Sequence, residues 1–327
     1  MRSAHLGASA ALPIAACRSA AYSELVSESA LSAVVVEPSV ERSRGQAALV
    51  AMRPRQWPKN LLLFAGILFA AKIGDAVRWV EAVAAFAAYC SASSAAYLVN
   101  DLRDVEADRA HPVKRGRPIP CGELGHRTAL VLAVVLAVLA FAVAVALGPA
   151  SVALLATFVV LQASYTLGLK HVAIADVFVI AGLFIVRGAA GAVAVNVSIS
   201  GWLLVCTGLL ALFLALGKRR AELVLVQSQR TLGRRALNGY SLALVDQLIA
   251  AVAGATIMAY AAYTLVRRDS HTLVVTVPFV VFGLFRYIML LHRRGLGEEP
   301  ENVLLGDWPI LATVAAWAVV CGVILVR

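Results

Sequence analysis

Charge is scarce in this chain of 327 residues: 15% of them are charged, against 61% hydrophobic. That imbalance over such a length excludes a soluble globular domain and a disordered chain alike. Basic patches interleaved with aromatics are missing, so nucleic acid is not an expected partner. The five cysteines, Cys17, Cys90, Cys121, Cys206 and Cys321, are scattered and form no CxxC pair or zinc spacing. They read as small apolar residues. No run alternates Val, Thr and Tyr in the manner of a barrel strand, which leaves helices as the spanning elements and an all-α fold. No long polar stretch divides the chain after Trp57, so one polytopic membrane domain is expected over residues 46–327. Residues 1–45, dominated by Ser, Ala and Glu, hold no segment long enough to span. They are expected to be disordered or a surface extension.

What the chain does have is apolar segments near the ~20 residues that cross a bilayer. Nine are expected, at 60–73, 79–99, 124–147, 150–168, 173–194, 201–217, 241–265, 272–291 and 308–326. Basic residues fix the orientation. Arg53, Arg55 and Lys59 precede the first span, and Arg103 to Arg127 surround the loop after the second. Lys170 follows the fourth, Lys218 to Arg235 the sixth, and Arg293 and Arg294 the eighth. All five groups fall on one side of a nine-span layout, which places the amino terminus in the cytoplasm of a multi-pass plasma-membrane protein. Arg267 and Arg268, beside Asp269, are the exception.

The polar residues gather at that cytoplasmic side. Asn100-Asp101-Leu102-Arg103-Asp104-Val105-Glu106-Ala107-Asp108 follows an apolar segment directly. Asp101, Asp104 and Asp108 stand at i, i+3 and i+7, with Asn100 one turn before Asp104, so the four share a helix face. Such a cluster at a membrane helix end needs a cation to neutralise it. Hard oxygens suit Mg²⁺, which commonly brings substrate phosphates into its shell. The competing reading is a solvated acidic helix end. The loop that follows, with Arg109, Lys114 and Arg117 among prolines, fits either anion binding or the positive-inside rule alone. Three further constellations stand beside this one. Tyr165 and Lys170, at the end of the fourth span, suit phosphate contact or an interfacial anchor, and so does Lys59 beside Trp57 and Pro58. Arg187, deep in an apolar segment, needs a polar cavity or a partner, and the small residues Gly188 to Ala192 after it favour close helix packing. Lys218, Arg219 and Glu222 end the sixth span, where Lys218 and Glu222 lie one turn apart and predict a helix-end salt bridge.

The acidic run, the phrase Arg109-x-His111-Pro112-x-Lys114-x-x-Arg117-Pro118 and the nine-helix layout resemble the UbiA superfamily of intramembrane prenyltransferases. Other phrases are similar to its decaprenyl-phosphate phosphoribosyltransferase branch. These are Arg53-Pro54-Arg55-Gln56-Trp57-Pro58-Lys59-Asn60, Tyr97-Leu98-Val99-Asn100-Asp101, Gly168-Leu169-Lys170-His171, Arg187-Gly188-Ala189-Ala190-Gly191 and Gly217-Lys218-Arg219-Arg220-Ala221-Glu222-Leu223. The resemblance covers residues 50–327. It implies a UbiA-like bundle and Mg²⁺, with Mn²⁺ as a substitute, on Asn100, Asp101, Asp104 and Asp108. It implies phosphoribosyl diphosphate as donor and a polyprenyl phosphate as acceptor in cell-wall arabinan precursor synthesis, with membrane lipids around and homo-oligomers as a family habit. Lys59, Asn100, Arg109, Lys114, Arg117, Tyr165, Lys170, Arg187, Lys218, Arg219 and Glu222 are the expected substrate contacts. Ordinary prenyltransferases of the superfamily carry a second Asp-rich motif where this chain has Lys218, Arg219 and Glu222. A prenyltransferase acting on an aromatic or quinone-precursor acceptor is the alternative within the superfamily. A transporter is the alternative outside it, although transporters place polar breaks at the midplane rather than at one interface. A CDP-alcohol phosphotransferase needs a DG-x-x-AR run, which is absent.

Overall fold

The computed structural model describes residues 42–69, 74–110, 114–198, 200–229, 235–266, 271–294 and 306–326. The expected amino-terminal extension lies outside the described residues up to position 41, and so does His111. Among the described residues every regular element is helical. The α-helices are α1 (Arg44–Ala51), α2 (Ala65–Phe69), α3 (Ala76–Arg103), α4 (Val105–Ala110), α5 (His126–Leu147) and α6 (Pro149–Leu167). They continue as α7 (Ala175–Ala194), α8 (Gly201–Gln229), α9 (Leu242–Val266), α10 (Val277–Arg294) and α11 (Trp308–Val326).

Seven of these segments are long and apolar enough to cross a membrane: α3, α5, α6, α7, α8, α9 and the stretch Thr272–Arg293 that contains α10. The apolar α11 adds a shorter one. The first expected segment differs from expectation. It enters as a 3₁₀ helix, Pro54–Phe64, and becomes α-helical only at Ala65. Pro58 sits inside that stretch, where it has no N–H for the carbonyl four residues back and its ring crowds that turn, so an α-helix begun at Pro54 does not run through it.

Two helical groups share α7. The first core joins Leu63, α3 (Ala85, Ala88, Tyr89, Ala92), α5 (Ala140, Ala144), α6 (Leu155, Phe158) and α7 (Leu183, Val186, Ala190). Alanine at most of the contacts lets the α3 and α5 backbones approach closely, which is how helices gain packing energy in lipid. The second core joins Val177 of α7 to Phe213 and Leu216 of α8, Val245 and Ile249 of α9, Tyr287 and Leu291 of α10 and Ile310 of α11. Val131, Val134 and Val138 of α5 remain exposed, the apolar outer face of a helix that meets lipid. Gly148, at φ 111°, ends α5 and begins α6 at once, with Pro149 as the first helical residue. Only glycine takes that φ without strain, and proline fits the first turn, so two spans are joined with almost no loop.

The small-residue stripe of α7 does what its composition predicts. A Cβ on Gly191 would lie 2.0 Å from the Leu63 carbonyl oxygen, and one on Gly66 would lie 2.7 Å from Ala192 Cα. The entry segment therefore rests backbone-to-backbone on α7, which fixes the height at which Arg53 and Lys59 leave the bundle.

Candidate active site

The acidic run straddles a break. α3 ends at Arg103, Asp104 sits at φ −94° and ψ 13° as its cap, and α4 resumes at Val105. The ladder survives on both sides, with Asp104 N–H donating to Asn100 O (3.0 Å) and Asp108 N–H to Asp104 O (2.8 Å). Asp101 and Asp108 turn inward and are 2% and 3% exposed, so each must find a cation.

They find several. Arg53 Nη2 lies 2.5 Å from Asp101 Oδ1. Arg117 Nη1 bridges the two acids, 3.2 Å from Asp101 Oδ1 and 2.7 Å from Asp108 Oδ2. Lys114 Nζ stands 3.7 Å from Asp108 Oδ1, and Lys170 Nζ 3.5 Å from Asp104 Oδ2. Three carboxylates thus meet four cations. Arg53 holds its place by a left-handed backbone (φ 55°). Ser94 Oγ donates to Met52 O (2.8 Å) and accepts from Trp57 Nε1 (3.1 Å), and the Arg53 guanidinium stacks 4.8 Å from the Tyr97 ring centre. Arg109 turns away, its Nε donating to Pro120 O (3.0 Å), so it braces the loop rather than facing the acids.

Because one guanidinium nitrogen reaches both Asp101 and Asp108, these two carboxylates bracket a position that a single small cation fits. Among the described residues no three acidic, histidine or cysteine side chains converge on one point. A hard cation held there would take its remaining ligands from water or substrate oxygens, the usual habit of Mg²⁺. Asp104, paired to Lys170 from another segment, flanks that position.

The end of α6 links this cluster to a second one. Lys170, in the 3₁₀ turn Leu169–His171, reaches Asp104, while Tyr165, in the last turn of α6, contacts α8: Arg219 Nη2 lies 3.3 Å from Tyr165 Oη. The α8 end departs from expectation. Glu222 pairs with Arg219, the residue after Lys218. Arg219 is itself 1% exposed, so it is no surface contact for a phosphate. The physical cause is Asp176, in the first turn of α7 and fully buried, whose Oδ2 faces Arg219 Nε at 2.6 Å in a charge contact rather than an aligned hydrogen bond. Arg220 is spent on packing, with Nε to Asp246 (2.6 Å) and Nη1 to Leu291 O (3.1 Å).

Asp176 is held from behind. Tyr240 donates its hydroxyl to Asp176 Oδ1 (2.8 Å) and accepts the Ile174 N–H (2.6 Å). Burial pushes the Tyr240 hydroxyl up to about 12, and the neighbouring carboxylate pushes the same way, so it remains a donor at neutral pH. Ile174 sits at φ 69°, ψ −48°, and Ala175 N–H donates to Ala173 O (2.8 Å). This is the strained form of the γ-turn, and for a β-branched residue it costs about 1–3 kcal/mol. Sequence reasoning missed Asp176 and Tyr240 and counted Arg53 only as a loop charge. A lone acid in the apolar stretch 173–194 was the available signal for Asp176, by the logic that flagged Arg187. Tyr240 offered none.

Arg187 does not join either cluster. It is 6% exposed, and its Nε donates to Asn60 Oδ1 (2.7 Å) and Nη1 to Leu183 O (3.1 Å). Its guanidinium lies 4.7 Å and 5.3 Å from the ring centres of Phe158 and Phe184. Asn60 in turn donates to Cys90 Sγ (3.3 Å). These contacts make Arg187 a clamp tying the entry segment to α3 and α7. Asn60→Ala should therefore lower stability by about 2–3 kcal/mol, since it strips an acceptor from a buried cation, and leave turnover per folded molecule near wild type. Thermal unfolding in detergent beside a normalised assay reads both. Lys59 and Lys218 are half-buried, and each is engaged with a partner.

Residues 61–303 match the UbiA prenyltransferase family. The chain is 35% identical over 299 residues to the decaprenyl-phosphate phosphoribosyltransferase of Mycobacterium tuberculosis, covering 88% of this chain and 97% of that protein. It is 35% identical over 283 residues to the protein of the same name from Mycolicibacterium smegmatis, covering 82% and 88%. Among solved structures, a UbiA homolog from Archaeoglobus fulgidus bound to GPP and Mg²⁺ superposes with a TM-score of 0.65 at 16% identity, over 86% of this chain and all of that one.

Proposed function

The chain belongs to the UbiA prenyltransferase family, and from that premise we propose that it moves the 5-phosphoribosyl group of phosphoribosyl diphosphate onto a polyprenyl phosphate, releasing diphosphate. The observation that carries this reading is the supply of cations around the acidic run. Where an acid-rich motif would bind a second metal, Arg219 is buried with its charge offset by Asp176 and Glu222, while Lys114, Arg117 and Lys170 stand beside the acidic run. A donor with phosphate at both ends and an acceptor that is itself a phosphate need that cation supply; an aromatic acceptor does not. The names carried by the mycobacterial relatives support the same reading, with decaprenyl phosphate as the acceptor.

The reaction breaks the bond between ribose C1 and the diphosphate oxygen and forms one from C1 to the lipid phosphate oxygen. Mg²⁺, or Mn²⁺ in its place, would be held by Asp101 and Asp108 with Asp104 and Asn100 alongside, supplying positive charge for the departing diphosphate. Lys114, Arg117 and Lys170 take up phosphate oxygens, exchanging their carboxylate contacts for substrate ones. C1 develops oxocarbenium character as in other glycosyl transfers. The attacking phosphate oxygen is ionised near neutral pH, its second pKa being about 6, so no side chain has to accept a proton. Rate comes from positioning and preorganised charge. In this reading the bundle has nine spans, the amino terminus and the site face the cytoplasm, and the lipid tail lies along the apolar outer faces.

Diphosphate release should then need phosphoribosyl diphosphate, polyprenyl phosphate and divalent metal together. Lys170→Gln should raise donor KM about tenfold, the loss of one charge-assisted contact. Release from geranyl diphosphate and an aromatic acceptor, with none from phosphoribosyl diphosphate, would make the chain an ordinary prenyltransferase.

A further inference from the structure

Glu222 is out of place in a site that binds phosphates. A carboxylate only accepts hydrogen bonds and repels phosphate oxygens. Yet it is built in with care. Arg219 fastens it by Nη1, Asp176 fastens Arg219 by Nε, and Tyr240 fastens Asp176 while bonding the Ile174 N–H. Asp176 and the Arg219 side chain are 0% and 1% exposed, so substrate reaches neither, whereas the Glu222 side chain is 16% exposed. Tyr165, also on Arg219, lies five residues before Lys170, which contacts Asp104. The carboxylate therefore belongs to the end of the bundle where the donor is read to bind.

In that donor the hydroxyls of the ribose ring are groups that present hydrogens rather than negative charge; the phosphates do not, and the lipid acceptor brings only a phosphate. We propose that Glu222 accepts the ribose hydroxyls of the donor, and that Asp176 and Tyr240 are positioning residues that hold it there through Arg219. The inference rests on the phosphoribosyl-transfer reading. It makes the site selective, because a group placed to accept a hydroxyl is left buried and unpaired by an analogue that lacks it.

The test compares phosphoribosyl diphosphate with its 2-deoxy and 3-deoxy forms, using the full-length protein in vesicles with polyprenyl phosphate and Mg²⁺. The quantity read is the ratio of kcat/KM values, which does not depend on the fraction of protein that folds. Wild type should favour the ribosyl donor over at least one deoxy form by about 100-fold. Glu222→Gln should reduce that preference by about 10- to 100-fold, the loss of a bond to a charged acceptor. Asp176→Asn and Tyr240→Phe should reduce it by about 3- to 10-fold, expressed in donor KM more than in kcat, and Asp176→Glu should recover part of it. Tyr240→Phe serves where Asp176→Asn does not fold. An undiminished preference in Glu222→Gln overturns the assignment of Glu222. A preference lost in Glu222→Gln but intact in both Asp176→Asn and Tyr240→Phe overturns the positioning unit. Failure of wild type to transfer from any of the three donors overturns the underlying reading of the reaction instead.

Discussion

Asp101→Asn lowers phosphoribosyl transfer by about 10²- to 10³-fold and leaves the protein folded. The expected size is that of removing one preorganised charge from a transition state. Asparagine keeps the shape of the side chain and an acceptor oxygen, so the Arg53 and Arg117 guanidiniums retain a hydrogen-bond partner. What disappears is the negative charge that offsets them. The bracket between Asp101 and Asp108 then repels any cation that the diphosphate would bring. Asp108→Asn acts through the same bracket and should match it. Asp104→Asn should cost less, because its carboxylate is partly exposed and meets Lys170 at 3.5 Å. The measurement is initial rate per molecule of monodisperse protein, with thermal unfolding as the folding control. An Asp101→Asn protein that unfolds like wild type and turns over within threefold of it would remove the acidic run from the chemistry.

Gly191→Ala is the substitution expected to damage the fold most for its size. Its new methyl carbon would lie 2.0 Å from the Leu63 carbonyl oxygen and 2.7 Å from Leu63 Cα. Both are backbone atoms, so no side chain can rotate away, and two segments must part. The expected loss is about 3 kcal/mol, at the upper end of overpacking costs. Gly182→Ala, two and a half turns earlier on the same helix, is the control. Its methyl would meet only Leu161 Cδ1 at 3.7 Å, and alanine is about 1 kcal/mol the better helix former. Detergent unfolding should show Gly191→Ala well below wild type and Gly182→Ala at or above it. Equal stability of the two would mean that the entry segment does not rest on α7. Activity should fall with Gly191→Ala as well, since the displaced segment carries Arg53 and Lys59.

Both sites are visible in the sequence, although their partners are not. The acidic run and the glycine stripe after Arg187 were legible because both depend on local spacing: i, i+3, i+7 puts acids on a face, and a block of small residues permits a close approach. Lys170 and Tyr165 were legible as polar groups at a helix end. What each one touches was not. Nothing in the sequence says that Arg117 bridges Asp101 and Asp108, because that pairing depends on how the loop after α4 folds back. The one-turn spacing of Lys218 and Glu222 predicted a pair but did not show that Arg219 holds the carboxylate. A second acid, Asp176, lay far along the chain inside an apolar run and drew Arg219 inward. The depth of Arg187 in an apolar run predicts a partner, and the partner is Asn60, a neutral residue in the entry segment. The apolar composition of 60–73 does not show that its backbone stays 3₁₀ as far as Phe64.

The central claim is transfer of the phosphoribosyl group to a lipid phosphate, and the direct measurement follows the ribose. Purified protein in vesicles is given phosphoribosyl diphosphate labelled in the ribose, polyprenyl phosphate and Mg²⁺, and label is counted in the lipid phase. The account predicts lipid-borne label that requires the polyprenyl phosphate and the metal and is lost in Asp101→Asn. Absence of lipid-borne label, in protein that instead joins a prenyl diphosphate to an aromatic acceptor, would contradict it.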